Sequence, residues 1–462
     1  MASAVRSLKN KYFILEESKE SSRIFFPLSL AQLMQVSITV CSNLALGGIG
    51  VEALASGGIC NILIQTGVVI VQSAISSFQS LFGQAQGRGD RVAERFVGCA
   101  CIIALILSVF LLILLILIIL FCRAYVFEAT MGQGALLYMS SAVFATPGMV
   151  FFSVMRSYAS ASRKAASILK AVGCGVFFYG VCAAVVVMFF RSVTEQNLLM
   201  LMGVIFSLSW TVVAIISFLS LDILSVLKRT LSDSNKHIVF ADCLAILSAG
   251  WPVGLGVASE MSANTMLAMF VGASGVTQMS VHQLCQSIEL LTFMPSLAMS
   301  QAVSVRVAYF HGKGEAARIR LVHRVAVTFI LLVAFAEVAL IMLFHDAIYK
   351  VSIVDTGELA ASFGGSLYGM FIAVCGIVVF DALQAASSGA LRGQLDMKIP
   401  MLMAVASYWI VGFVFAMILA RLTPQPVLGV WAGICIGVFC SACLQTVRFV
   451  HLNRLRSCSL KK

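Results

Sequence analysis

Twelve apolar stretches of about twenty residues or more recur along this chain and leave it few ways to fold. They lie at 24–45, 54–82, 96–121, 135–155, 166–190, 198–227, 243–271, 276–305, 321–344, 359–391, 399–420 and 428–447. About twenty apolar residues in an α-helix cross roughly 30 Å of hydrocarbon, where no water satisfies an exposed backbone. Several stretches exceed that length and are expected to tilt or to project beyond the bilayer. Of the 462 residues, 60% are hydrophobic and 11% charged, more apolar side chain than a soluble interior of this size could enclose. The predicted class is an all-α integral membrane protein with twelve transmembrane helices.

Basic residues set the expected orientation. With the N-terminus inside, 27 of the 31 Lys and Arg residues fall in inner segments, against four (Arg123, Arg191, Lys350 and Arg421) in outer ones. This bias requires an even number of spans and places both termini in the cytoplasm. It also accounts for the net charge of +11 without nucleic acid. The first twenty residues, MASAVRSLKNKYFILEESKE, lack the apolar run of a signal peptide. The fourteen cysteines lie mostly within apolar runs and show no disulfide framework. Cys440 and Cys443 read as small packing residues of the last span. Short loops leave no room for a soluble catalytic or nucleotide-binding domain.

The halves repeat at a constant offset of 225. Pro27 matches Pro252, Gly50-Val51 matches Gly275-Val276, and Cys60 matches Cys285. Gly87-Arg88-Gly89-Asp90 matches Gly312-Lys313-Gly314-Glu315, and Arg95 matches Arg320. Six spans separate the copies, so both cross in the same direction, as two pseudo-symmetric six-helix bundles. That is a transporter architecture. The expected organisation is a cytoplasmic tail over 1–23, a first bundle over 24–227, a polar linker over 228–242, a second bundle over 243–447 and a basic tail over 448–462. The glycine-rich G-R-G-D and G-K-G-E segments are read as sharp inner turns. No strand precedes them and no phosphate-loop motif is present.

An ionisable group inside a span is costly and therefore a functional candidate. Four acids qualify: Glu260, Glu289, Glu337 and Asp381. Glu260 follows Pro252, which can bend its helix and free carbonyls, as Pro27 can in the first half. Asn264 lies one turn beyond Glu260. Asp381 shares a helix face with Gln384 and Ser388, and Glu289 shares one with His282, seven residues earlier, suggesting a proton path. Glu337 has no polar partner on its face. Gln35 occupies the repeat position of Glu260. Together with Ser42 and other polar residues of the first span, and with Gln65, Gln72 and Gln79 of the second, it reads as the lining of a hydrated cavity.

The segments FPLSLAQLMQVS, GGIGVEALA, GQAQGRGD, GWPVGLGVASE, FMPSLAMSQAVSVRVAYFHGKGE and DALQAASSGALRGQLDMKIPM with its following Tyr-Trp carry a further resemblance. The chain resembles the multidrug and toxic compound extrusion (MATE) transporters, in particular the bacterial NorM-type branch, over residues from about 20 to 450. The resemblance implies two six-helix bundles in a V, exchange of organic cations and other drugs for H⁺ or Na⁺, and a monomer. The branch's cation-coupling glutamate and aspartate fall on Glu260 and Asp381. Where the branch often has an aspartate in the first helix this chain has Ser42, and where it can have a tyrosine before the helix-ten aspartate this chain has Ile377.

The expectation is a secondary antiporter in a bacterial inner membrane, with small-molecule drugs and lipid as its partners. It needs no cofactor beyond the coupling ion and no resident metal. A lipid or lipid-linked-sugar flippase is the alternative, one that would place Lys or Arg facing its substrate's headgroup, and the sequence shows none deep in a span. No metal motif or nucleophile–base pair points to an enzyme.

Overall fold

The computed structural model describes residues 2–90, 93–125, 133–162, 164–189, 194–232, 236–352 and 365–459, and these are helical almost throughout. The first half contains α1 (Ala2–Ile49), α2 (Val51–Ile75), α3 (Phe78–Arg88), α4 (Ala93–Tyr125), α5 (Gln133–Ala142), α6 (Ala145–Ala161), α7 (Ala165–Phe189), α8 (Glu195–Ser220) and α9 (Ile223–Leu231). The second contains α10 (Lys236–Ala273), α11 (Val276–Gly312), α12 (Ala316–Ser352), α13 (Gly365–Gly393), α14 (Lys398–Val405), a π-helical segment (Ala406–Phe413), α15 (Val414–Leu422) and α16 (Pro426–Ser459). Among the described residues, twelve helical stretches are long and apolar enough to cross a membrane. Large apolar side chains such as Phe110, Leu117 and Phe121 on α4, and Phe335 and Leu343 on α12, remain exposed, as lipid-facing positions do.

The two glycine-rich turns form as expected. Gly89 and Gly314, 225 residues apart, take left-handed φ values of 79° and 74°, a conformation that glycine adopts without a Cβ penalty. Pro27 and Pro252 lie inside the continuous helices α1 and α10.

By packing, the described chain forms two compact units. One comprises residues 26–254; the other comprises 255–462 together with 1–25. The sequence expects the division at the 228–242 linker, but most of that segment is helical, in α9 and the start of α10. The expected N-terminal tail is likewise helical, as the start of α1. The packing boundaries fall instead inside α1 and α10, beside Pro27 and Pro252.

Each of these helix starts is fixed by an ion pair within its unit. In the C-terminal unit Arg306 donates from Nε to Glu17 Oε1 at 2.8 Å and from Nη2 to Glu17 Oε2 at 2.6 Å. Phe25 meets Phe329 edge-on in the same unit. In the N-terminal unit Arg95 Nε donates to Asp242 Oδ2 at 2.5 Å. Glu17 and Asp242 are themselves 225 residues apart, so the repeat extends to these acids. Each half of the sequence thus lends the opening of its first helix to the other packing unit.

Glycines bring α16 onto the π segment and α15. A Cβ added at Gly437 would stand 2.8 Å from the Cα of Gly412, and one at Gly433 would strike the backbone of Ala416. Gly433→Val should therefore force the helices apart. The expected cost is about 1–3 kcal/mol, read as a lowered unfolding midpoint of the purified protein in detergent.

Candidate functional site

Three of the four intramembrane acids converge in the C-terminal unit. Glu260 comes from α10, Glu289 from α11 and Asp381 from α13, and the three carboxyls are near enough to interact electrostatically. Asp381 is buried, while Glu260 and Glu289 are half-buried. No Lys or Arg pairs with any of the three among the described residues. Each carboxylate charge is opposed by its neighbours, and a proton or cation taken up among them relieves that repulsion. Among the described residues no three His, Cys, Asp or Glu side chains are arranged to hold a metal ion.

Tyr408 completes the cluster. Its hydroxyl lies near enough to the Glu260 carboxyl to act on it and accepts from Gln384 Nε2 at 3.0 Å. The next residue, Trp409, donates from Nε1 to the carbonyl of Ser259 at 3.1 Å. Two consecutive side chains of the π segment therefore dock on two consecutive residues of α10. A π turn adds a residue to the helical repeat and changes the phase of the side chains beyond it, and such turns recur at functional sites. Tyr408 stands in the Tyr-Trp pair that carries part of the family resemblance, but nothing in its spacing assigns it a role.

Other expected positions fare differently. His282 is buried with its ring 5.5 Å from that of Trp431, and neither ring nitrogen has a hydrogen-bond partner. Asn264 and Ser388 make no side-chain hydrogen bond among the described residues. The adjacent Ser387 is engaged instead, meeting His323 Nε2 at 3.2 Å and Thr446 Oγ1 at 2.9 Å. Ile377 is fully buried. Glu337 stays half-buried on α12, and nothing in the structure gives it a role.

Of the residues expected to line a hydrated cavity, Ser42, Gln72 and Gln79 are buried in the N-terminal unit, while Gln35 and Gln65 are half-buried. Ser42 is fully buried, 3.1 Å from the hydroxyl of Tyr138, which donates to Asn61 Oδ1 at 2.8 Å. Gln65 donates to Thr39 Oγ1 at 2.8 Å and Gln72 to the carbonyl of Met149 at 2.9 Å, while Gln79 is buried. These side chains hold helices together, because a buried amide must find a partner. Gln35 accepts from Arg156 Nη1 at 2.7 Å. Arg156 is itself a correction. The sequence counts it with an inner loop, whereas the structure puts it inside the span Gly134–Ala161 with 7% of its surface exposed.

The sequence model of the MatE family matches residues 27–186 and 252–418, two stretches that begin at the paired prolines. This chain belongs to the MatE family. Among MatE relatives, a probable multidrug resistance protein NorM of Burkholderia mallei is 28% identical over 448 residues, covering 93% of this chain and 92% of the relative. A probable NorM of Synechococcus is 25% identical over 455 residues and covers 96% of each. The fold matches a MATE crystallised in complex with MaL6, with a TM-score of 0.83 and 19% identity over 96% of this chain and 97% of that one. It also matches a eukaryotic MATE transporter at 0.81 and 19% identity, covering 96% and 99%. The MatE chain is thus an integral membrane protein built on the MATE transporter fold.

Proposed function

We propose that this MatE protein is a secondary exporter that exchanges lipophilic, cationic small molecules for H⁺ or Na⁺. The observation that carries the reading is the cluster of Glu260, Glu289 and Asp381 within one membrane unit, with no basic partner. In low dielectric such a cluster takes up positive charge, and it can take up a proton, a sodium ion or an organic cation in turn. Competition among these for one set of carboxyls is the coupling. In one orientation the ion enters and displaces the drug; in the other the ion leaves and the drug returns. The relatives named as multidrug resistance proteins support this choice of substrate.

Glu260 and Asp381 are the principal coupling groups in this proposal, with Glu289 the third charge and Tyr408 the group that orients Glu260. The excess of basic residues in one set of loops supports cytoplasmic termini, and the bacterial relatives support an inner-membrane location. A flippase for anionic lipid would gather cations toward the headgroup. Arg156 supplies one buried guanidinium in the N-terminal unit, but three clustered carboxyls favour a cationic cargo.

The test is transport by purified protein in liposomes loaded with a fluorescent organic cation, with either a pH gradient or a Na⁺ gradient imposed. Movement driven by one gradient names the ion; movement indifferent to both defeats the exchange reading. Tyr408→Phe removes the hydroxyl shared by Glu260 and Gln384 and leaves the ring. The hydroxyl favours the charged carboxylate, so its loss should lower the proton concentration needed for half-maximal efflux by roughly tenfold.

A further inference from the structure

Arg156 is a guanidinium in the interior of the N-terminal unit with no carboxylate against it among the described residues. Its position is five residues before the end of the span Gly134–Ala161, about 7.5 Å along the helix axis. Arg156 Nη1 reaches two side-chain carbonyls of α1, Gln32 Oε1 at 3.1 Å and Gln35 Oε1 at 2.7 Å. The ring of Phe152, one turn earlier on α6, lies 5.8 Å from the guanidinium carbon. Neutral amides and a ring face can orient a cation, but they do not cancel its charge.

The same side chains carry donors with nothing to bond. Arg156 Nε and Gln32 Nε2 are both buried without an acceptor, and so is the hydroxyl of Ser29, one turn before Gln32 on the same face of α1. Gln32 is 2% exposed and Ser29 7%. Buried donors without partners are rare, and two of these belong to the Arg156 cation and to the Gln32 that it contacts. What the cluster lacks is an acceptor and a negative charge, and one anion supplies both. A guanidinium fork is shaped for the paired oxygens of a carboxylate or sulfonate, and it also holds a halide.

We infer that Arg156, Gln32 and Ser29 form a binding site for a small anion or anionic group within the N-terminal unit. The ligand is either the carboxylate or sulfonate of an organic solute or a free inorganic anion. Both share the chemistry that the site recognises, a compact negative charge that accepts hydrogen bonds. The donors are closed to solvent in this structure, so the anion exchanges when the unit opens. This goes beyond the cation coupling assigned to the C-terminal unit and does not depend on it.

The test is anion binding by the full chain, purified in detergent and followed by its thermal unfolding midpoint. Sodium chloride, benzoate or benzenesulfonate is titrated at matched ionic strengths into a low-salt buffer free of other carboxylates and sulfonates, with neutral benzamide as control. Wild type should show a saturable rise in midpoint with at least one anion and none with benzamide. Arg156→Gln should remove the rise, and Arg156→Lys and Gln32→Leu should each weaken apparent affinity by about tenfold through loss of the fork or of one donor. Saturation by chloride alone identifies a free inorganic anion; a response confined to benzoate or benzenesulfonate identifies the anionic group of an organic solute. If Arg156→Gln fails to fold, the other two variants carry the comparison. Wild-type titrations in folded variants, or no saturable response to any anion in wild type, would overturn the assignment. Failure of cation efflux in liposomes leaves this binding result untouched, so the two readings fail separately.

Discussion

Glu260→Gln or Asp381→Asn should abolish gradient-driven accumulation of the organic cation in proteoliposomes. One ion exchanged for one monovalent organic cation moves no net charge, so each tenfold of ion gradient, about 1.4 kcal/mol, sustains a cargo gradient of about tenfold. An exchanger that has lost either principal coupling group no longer links the two movements, so the gradient should fall to about unity. Both changes keep side-chain size and remove only the charge. Neither leaves a new unpartnered ion in the bundle, and each should be produced and purified like wild type. Glu289→Gln should have a smaller effect, lowering the drug gradient without erasing it. The readout is the steady-state ratio of fluorescent cation across the vesicle under an imposed pH or Na⁺ gradient. Wild-type ratios in both principal variants would remove the acid cluster from the coupling mechanism.

The largest expected effect on stability comes from Arg306→Ala. Arg306 meets Glu17 through two hydrogen bonds, and both side chains are at most 10% exposed. Removing the guanidinium leaves a carboxylate buried without its partner, at a cost of about 3–5 kcal/mol. The unfolding midpoint in detergent should drop sharply. Replacing both partners, as in Glu17→Gln with Arg306→Met, should restore most of it, because no charge is then stranded. If the single and double variants unfold alike, the pair contributes packing and not charge compensation. Arg95→Ala, which strands Asp242 in the N-terminal unit, should behave in the same direction but more mildly, since those two side chains are each 15% exposed.

The spans were readable from sequence because hydrocarbon enforces their length and composition. Glu260 and Asp381 were readable because a carboxyl in an apolar span has so few bland explanations. Glu289 was found by the same rule but matched with His282, its neighbour on one helix face. Its companions lie on α10 and α13, and spacing within α11 carries no information about them. Tyr408 stayed silent because a tyrosine in a span usually marks an interface, and only the π segment's change of phase turns it toward Glu260. A polar stripe such as that of Gln65, Gln72 and Gln79 looks the same in sequence whether it meets water or another helix. In sequence Arg156 reads as a loop residue, because a cation five residues inside a helix end resembles one that has just left it.

The exchanged helix openings have a consequence for how the chain is made. Residues 1–25 leave the ribosome well before the unit that receives them, which includes Arg306, Phe329 and the helices around them. That segment must therefore wait, while more than two hundred further residues are made, for a partner that does not yet exist. Residues 236–254 face the opposite situation, emerging when the helices that receive them are already in place. A gene cut between residues 232 and 236 would yield two fragments, each holding a segment that completes the other. Neither fragment should mature alone, and the two should recover a working protein only when synthesised together in one membrane.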